Sequence, residues 1–437
     1  MFIHLIGYKN TILTLLFINY IAKTQLGIRQ LEKLLETKRP KTIKSFVNAK
    51  DFESTRVKKV EDLKVWFIKD IYNLVYSFGF LKFNVHAGIW RFSIYLVSVL
   101  IGEFKYDQFF NSLIFVIIFI SILNIRDIIA HYLEFNILKE SRFKDKTFTN
   151  YIFKSKVLPG LEGIIVILIG AVLAILIDRM GPSIFYYFCL LTLAINVIYS
   201  IKTTFFMNLS SKDYELLPDG ELKNELESLA ERIKFPLDKI LITSHNLIDP
   251  KAKCTTIGFI VENPNSKNIV LYKDAIKLNS VEEVCALVSS KLAHCKLNFS
   301  LKELALDKAE VFYHYYIFTT LLYNQGFANE FGFDNIPIVV HFALYFYISI
   351  PIMFTLDFLS NFIKRKHIVE ADSVSKFLGY KKSLKLGLIK LNEESSSYFN
   401  SDHWYLTYCS NGLTIVERLI ALKKSKRRKI DLSFSNN

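Results

Sequence analysis

Apolar residues along this chain gather in runs close to the length that spans a bilayer as a helix, about 20 residues. Seven such runs lie at roughly 2–22, 86–102, 108–125, 159–178, 184–203, 311–324 and 336–360. The second and sixth are short and rich in aromatics. The stretch 65–85, VWFIKDIYNLVYSFGFLKFNV, is either interfacial or an alternative start to the second run. Loops between the runs differ in charge: Lys23–Lys64 and Arg126–Lys156 are crowded with Lys and Arg, whereas 103–107, 179–183 and 325–335 are short and carry few basic residues. Basic loops stay on the cytosolic side. The alternation therefore puts the N-terminus outside or in a lumen and the C-terminus in the cytosol, a parity that fits an odd number of spans. These patterns predict a mainly α, polytopic membrane bundle of about seven transmembrane helices.

The long polar stretch 204–310 falls between the fifth and sixth runs. LPDGELKNELESLAERIKF (217–235) has the periodicity of an amphipathic helix, with a Pro-Asp-Gly turn signal at its start. DKILI (238–242), TTIGFI (255–260) and KNIVLYKD (267–274) read as short strands, and NPNSK (263–267) supplies the turn for a hairpin between the last two. After the last run, HIVEADSVSKFLGY (367–380) reads as a helix up to Gly379, with further helices to about Lys423. The tail KKSKRRK (423–429) is a solvated basic run.

Composition agrees with a membrane class: 51% hydrophobic residues, 38 Phe and a mean hydropathy of +0.26. A net charge of +14 would suggest nucleic acid in a soluble protein, but here the basic loops account for it and no nucleic-acid partner is expected. The five cysteines (189, 254, 285, 295 and 409) form no CxxC pair and read as small buried apolar residues. The run 2–22 lacks a small-residue cleavage site and reads as an anchor.

The stretch with chemical content is VEEVCALVSSKLAHCKLNF (281–299), a helix by its apolar spacing and its lack of Pro and Gly. A zinc-peptidase helix carries His-Glu-x-x-His, because histidines four residues apart share a face and grip one metal. The five residues here are Ser290, Lys291, Leu292, Ala293 and His294. One histidine remains, the other position holds Ser, and the general-base position holds Lys. Ser290 and His294 share a face, so a Ser-His-Asp arrangement with Asp372 is conceivable. No oxyanion donors can be assigned to it, and a mid-helix serine is not raised on an elbow turn.

Several motifs, in order along the chain, resemble the type I CAAX prenyl proteases, membrane zinc metalloproteases that cut prenylated CAAX proteins. EEVCALVSSKLAHCKLNF (282–299) parallels a family helix of the form EEVxAVLGHELGHWKLxH, and LPDGELKNELESLAERIKFPLDKI (217–240) parallels LPxGxLKxxIE…FPLxKV. FANEFGF (327–333), NFIKRKHIVEADSVSKFLGY (361–380), LIKLN (388–392) and ERLIAL (417–422) continue the likeness. The resemblance implies seven spans around a large chamber with a cytosolic α+β gluzincin-like domain at its edge. It divides the chain into spans 1–5 with basic loops (1–203), a metalloprotease-like domain (204–310), spans 6–7 (311–360) and C-terminal helices completing that domain (361–437).

Carried over residue by residue, the family's first zinc histidine falls on Ser290, its catalytic glutamate on Lys291 and its second histidine on His294. The third ligand, a Glu four residues before an Asp, falls on Ile368 when aligned through Asp372. Glu370 lies about 200° further around the helix axis from that position and cannot substitute. An edge strand that offers Asn-Ala to the substrate backbone falls near Lys253 and Cys254, and a His that supports the reacting carbonyl falls near Gly412. Catalytic zinc needs three protein ligands, and two of these are gone. A lysine at the base position cannot accept a proton while charged. The family uses zinc; for this chain none is expected. The reading taken is a CAAX prenyl protease-like membrane protein with a degenerate site, non-catalytic and binding prenylated C-terminal peptides or membrane-protein clients. An active metalloendopeptidase that removes the CAAX tripeptide and a structural membrane subunit remain alternatives. The resemblance also implies the endoplasmic reticulum membrane.

Overall fold

The computed structural model describes residues 7–36, 39–40, 44, 48–100, 107–144, 147–152, 182–205, 214–243, 258–263, 266–322, 324–393 and 401–424. The protein is mainly helical. In chain order the elements are α1 (Tyr8–Leu35), α2 (Ala49–Lys82), α3 (Val85–Leu100), α4 (Asp107–Arg142), α5 (Phe148–Ile152) and α6 (Pro182–Phe205). Next come β1 (Glu215–Leu216), α7 (Glu221–Ile233), β2 (Leu237–Thr243), β3 (Gly258–Asn263), β4 (Ser266–Tyr272) and α8 (Lys273–Leu278). The remainder is α9 (Val281–Lys296), α10 (Phe299–Leu322), α11 (Gln325–Glu330), α12 (Ile338–Phe377), α13 (Lys381–Glu393), α14 (His403–Cys409) and α15 (Ile415–Lys424).

Among the described residues, α1, the stretch Phe109–Arg142 of α4 and α12 are long and apolar enough to cross a membrane, and α3 and Leu190–Tyr199 are shorter apolar helices. Their outer faces expose large apolar side chains such as Phe17, Ile18, Val99, Leu100, Ile125 and Phe346. That is the surface a helix presents to acyl chains, because its backbone groups are already satisfied internally. The run expected at 159–178 lies outside the described residues. Two expected boundaries are corrected. The run at 311–324 is the end of the longer α10, and the run at 336–360 does not stop before the helix expected at 367–380, because both belong to the 40-residue α12, which carries Pro351 inside it.

The chain forms two compact units, the first comprising Met1–Leu31, Val60–Leu193 and Glu310–Leu356. Its core gathers Ile12, Leu16, Phe115, Phe327 and Tyr347. The α1 N-terminus is held by Glu330, whose carboxylate accepts the Tyr8 and Lys9 backbone N–H groups at 2.9 and 2.7 Å. A carboxylate there satisfies orphan donors and complements the helix dipole.

The second unit comprises Glu32–Lys59, Ala194–Ala309 and Asp357–Asn437. Its sheet has strand order β1-β2-β4-β3, with β2 and β4 parallel and β3–β4 the expected hairpin. β3 is therefore an edge strand. Helix α9 is the central element: Val284, Ala286, Val288, Leu292 and Ala293 are all buried. A capping box starts it, with the Ser280 hydroxyl accepting the Glu283 N–H and the Glu283 carboxylate accepting the Ser280 N–H. Gly387 of α13 lies close to it: a β-carbon there would come within 2.9 Å of Leu287. Cys285 and Cys295 are buried as expected, but Cys409 is exposed, which corrects its expected burial.

Candidate functional site

Helix α9 places Ser290 and His294 one turn apart, and the last turns of α12 run beside it through the small residues Ala293 and Ala371. Small side chains let the two backbones come close, so short polar side chains can bridge them. The Ser289 hydroxyl donates to the Ser375 hydroxyl at 2.6 Å, and Ser375 donates to the Ala286 carbonyl at 3.0 Å. The Ser290 hydroxyl donates to Asp372 Oδ1 at 2.7 Å.

Asp372 is 1% exposed and receives two further hydrogen bonds from α15. Arg418 donates through Nε to Oδ2 at 2.8 Å and through Nη2 to Oδ1 at 2.6 Å. This two-pronged geometry is the strong form of an arginine–carboxylate pair. Burial works against the Arg418 charge, but the Asp372 carboxylate outweighs it and its pKa is raised.

Lys291 lies next on α9, accessible along its side chain, with no hydrogen bond or ion pair among the described residues. Surrounding protein nevertheless lowers its pKa by desolvation, and the Arg418 charge adds to the effect, against Cys295 and Asp372. An ammonium here repels a metal ion rather than activating its water.

His294 turns to a different partner. Its Nε2 lies 3.2 Å from Glu303 Oε1, and His367 Nδ1 lies 3.0 Å from the same oxygen. The Phe299 ring stacks on His367 with centroids 4.0 Å apart. Burial raises the Glu303 pKa, but the two imidazoles outweigh it and the carboxyl titrates below its ordinary range. The conceivable Ser-His-Asp arrangement is thus not formed: Ser290 bonds Asp372 directly, and His294 bonds Glu303.

Ile368 is half-buried on α12, one turn before Asp372. Gly412 contributes its carbonyl, which accepts from Nη1 of the buried Arg365. Arg365 Nη2 also donates to Glu417 Oε1 at 2.5 Å, and His403 Nδ1 lies 2.7 Å from that oxygen. Lys253 and Cys254 lie outside the described residues. Sequence reasoning missed Glu303, His367 and Arg365 as partners. Glu303 lies on α10 and both His367 and Arg365 on α12, each bonded to a partner on another helix, and no local spacing marks them.

A zinc ion does not fit this donor set. At the positions the resemblance equates with ligands stand a neutral hydroxyl, one imidazole and a hydrocarbon, and both polar groups are engaged elsewhere. Among the described residues, no group of three or more His, Cys, Asp or Glu is arranged to hold a metal ion.

The fold is that of a membrane-embedded peptidase class, as the family models and a solved structure show. Residues 30–207 match the family model described as CAAX prenyl protease N-terminal, five membrane helices, and residues 216–425 match Peptidase family M48. The chain is 27% identical over 434 residues to CAAX prenyl protease 1 of Saccharomyces cerevisiae, covering 93% of each. It is 26% identical to the CAAX prenyl protease 1 homolog of Oryza sativa subsp. japonica, covering 97% of this chain and 99% of the relative. The crystal structure of S. mikatae Ste24p superposes with a TM-score of 0.67 at 25% identity, over 95% of this chain and 99% of that one. The chain belongs to the type I CAAX prenyl protease family.

Proposed function

We propose that this family member has a degenerate zinc site, does not hydrolyse peptide bonds, and binds prenylated C-terminal peptides or membrane-protein clients. The observation that carries the reading is the Ser290–Asp372–Arg418 set. Where a zinc histidine and its supporting aspartate are expected, a hydroxyl, a carboxylate and a guanidinium satisfy one another. Lys291 beside them supplies a cation in place of a base. The gluzincin-like domain keeps an edge strand, β3, next to the unit's central helix, and an extended client segment can add to such an edge. The proposal takes the endoplasmic reticulum membrane as the location from the family resemblance, and a cytosolic C-terminus from the alternation of basic loops.

The test uses the purified, detergent-solubilised full chain. Zinc content is measured by elemental analysis, and a farnesylated CAAX peptide is incubated with the same sample and followed by mass spectrometry and thermal stability. The expected result is substoichiometric zinc, an intact peptide, and a rise in melting temperature with peptide. A ligand at about 100 times its Kd stabilises by about 2.7 kcal/mol. Stoichiometric zinc with a shortened peptide would overturn the reading in favour of an active endopeptidase. An intact peptide without protection would leave the structural-subunit reading.

A further inference from the structure

The first unit holds a cavity of about 250 Å³ whose polar wall is made by Asn19 and Lys23 of α1, Asp70, Asn73 and Ser77 of α2, and Arg126 of α4. Leu16 and Phe346 complete it on the apolar side. Three of the contributing helices, α1, α4 and α12, are the ones long and apolar enough to cross a membrane. Polar side chains on such helices are costly and mark sites with a function. Here they converge. Asn19 and Lys23 are one turn apart on α1, and Asp70, Asn73 and Ser77 follow at intervals of three and four, so each set shares a helix face.

The groups facing the cavity are chemically specific. Asn19 is 5% exposed, and among the described residues neither its amide nitrogen nor its amide oxygen has a hydrogen-bond partner. Among the described residues Asp70 Oδ2 is likewise buried without a hydrogen-bond partner, and the Lys23 charge acts on its carboxylate. Arg126 uses Nε and Nη2 on Asp127 and lies over the Tyr76 ring at 5.3 Å, which fixes the guanidinium. The wall therefore offers two cationic groups together with an acceptor-only carboxylate and an amide that both donates and accepts. Its natural complement is an occupant with a phosphate at one end and a donor-bearing ammonium at the other. The depth agrees: Lys23 and Arg126 immediately follow the apolar runs 2–22 and 108–125, the level at which headgroups meet hydrocarbon.

We propose that this cavity is a headgroup site for a phospholipid of the phosphatidylethanolamine type, with the phosphate against Lys23 and Arg126 and the primary ammonium against Asp70 and Asn19. A choline headgroup has no N–H to give Asp70, and a glycerol headgroup has no cation. The site therefore discriminates by donor chemistry and not by charge alone. It is independent of the α9 region and of whether that region is catalytic.

The test titrates the detergent-solubilised full chain with phosphatidylethanolamine, phosphatidylcholine and phosphatidylglycerol of matched acyl chains, reading the melting temperature. The ethanolamine lipid is expected to reach half-saturation at a concentration about tenfold lower than the other two, the discrimination of one charge-assisted hydrogen bond. Asp70→Asn should close that gap while leaving lipid binding, and Lys23→Met should weaken all three. Equal curves in the wild type, or a gap that survives Asp70→Asn, would overturn the proposal. Native mass spectrometry of the wild type with an equimolar mixture of the three decides independently of any variant's folding. A dominant ethanolamine-lipid adduct supports the site, and an unselective mixture or no adduct, with water as the only occupant, overturns it. Free O-phosphoethanolamine is the last arm. No shift at millimolar concentration assigns the group to a lipid, and a shift equal to the lipid's would overturn that source.

Discussion

Asp372 receives three hydrogen bonds in a dry environment, two of them from a single guanidinium. The three are not equivalent. Removing Arg418 leaves a buried carboxylate with a hydroxyl as its remaining partner, whereas removing the Ser290 hydroxyl leaves the ion pair whole. Arg418→Met is therefore expected to cost about 3–5 kcal/mol, and Ser290→Ala about 1.5 kcal/mol, measured by denaturation in detergent. Equal costs would mean that the ion pair is not the dominant link. Glu303 gives a second, pH-dependent expectation. Its folded carboxyl titrates below the ordinary glutamate value of about 4.3, so the unfolded chain binds the extra proton. The two imidazoles then stabilise the fold fully above that value, and the contribution is lost as pH falls through the lower, folded pKa. Glu303→Gln should flatten this acid limb of the stability curve; a wild-type-like limb in the variant would assign it to other carboxylates. Legibility at this scale followed the chain. Ser290, Lys291, His294 and Asp372 were readable because each sits inside a local motif. Glu303, nine residues beyond His294, was not, because the turn at 297–298 decides that the two face each other.

At the scale of elements, charge misled where periodicity did not. The sequence pattern ends the apolar run near 360 and places a separate helix at 367–380, with Lys364, Arg365 and Lys366 between them. Nothing there breaks a helix, and two of the three charges are paired: Lys364 with Asp307 at 2.7 Å and Arg365 with Glu417 at 2.5 Å. The hairpin was legible from its turn residues, but what fixes its first residue was not. Gly258 has φ 156°, and a β-carbon there would lie 2.0 Å from the Val270 carbonyl oxygen, a backbone atom that cannot step aside. Gly258→Ala is accordingly expected to unpair the start of β3 and cost about 2 kcal/mol. If clients add to this edge, the same variant should also lose most of the thermal protection given by farnesylated peptide. Full protection in a destabilised variant would place the client elsewhere.

For the whole molecule, the order of the short motifs along the chain was enough to identify the architecture, because each motif lies on an element that the fold needs, whichever residues fill the site. The proposed reading treats the site residues and the scaffold as separable, and that separation can be tested by introducing the family's residues alone. The Ser290 hydroxyl already lies 2.7 Å from Asp372, so an imidazole placed at this position has a carboxylate waiting to orient it, the usual outer-shell arrangement of a zinc histidine. Ile368 is one turn from Asp372 on the same helix, and a carboxylate there would share a face with it. The triple variant Ser290→His, Lys291→Glu and Ile368→Glu is therefore expected to bind about one zinc per chain, removable by a chelator, while Ser290→His alone binds none, because three protein ligands are the minimum for such a site. His294 must leave Glu303 for this to happen, so zinc uptake should also release the acid limb of stability that Glu303 confers. If the triple variant elutes as a folded protein and still takes up no zinc, the difference extends beyond the ligands into the positions of the helices themselves, and α9 and α12 would then lie at a spacing that no ligand substitution can bridge.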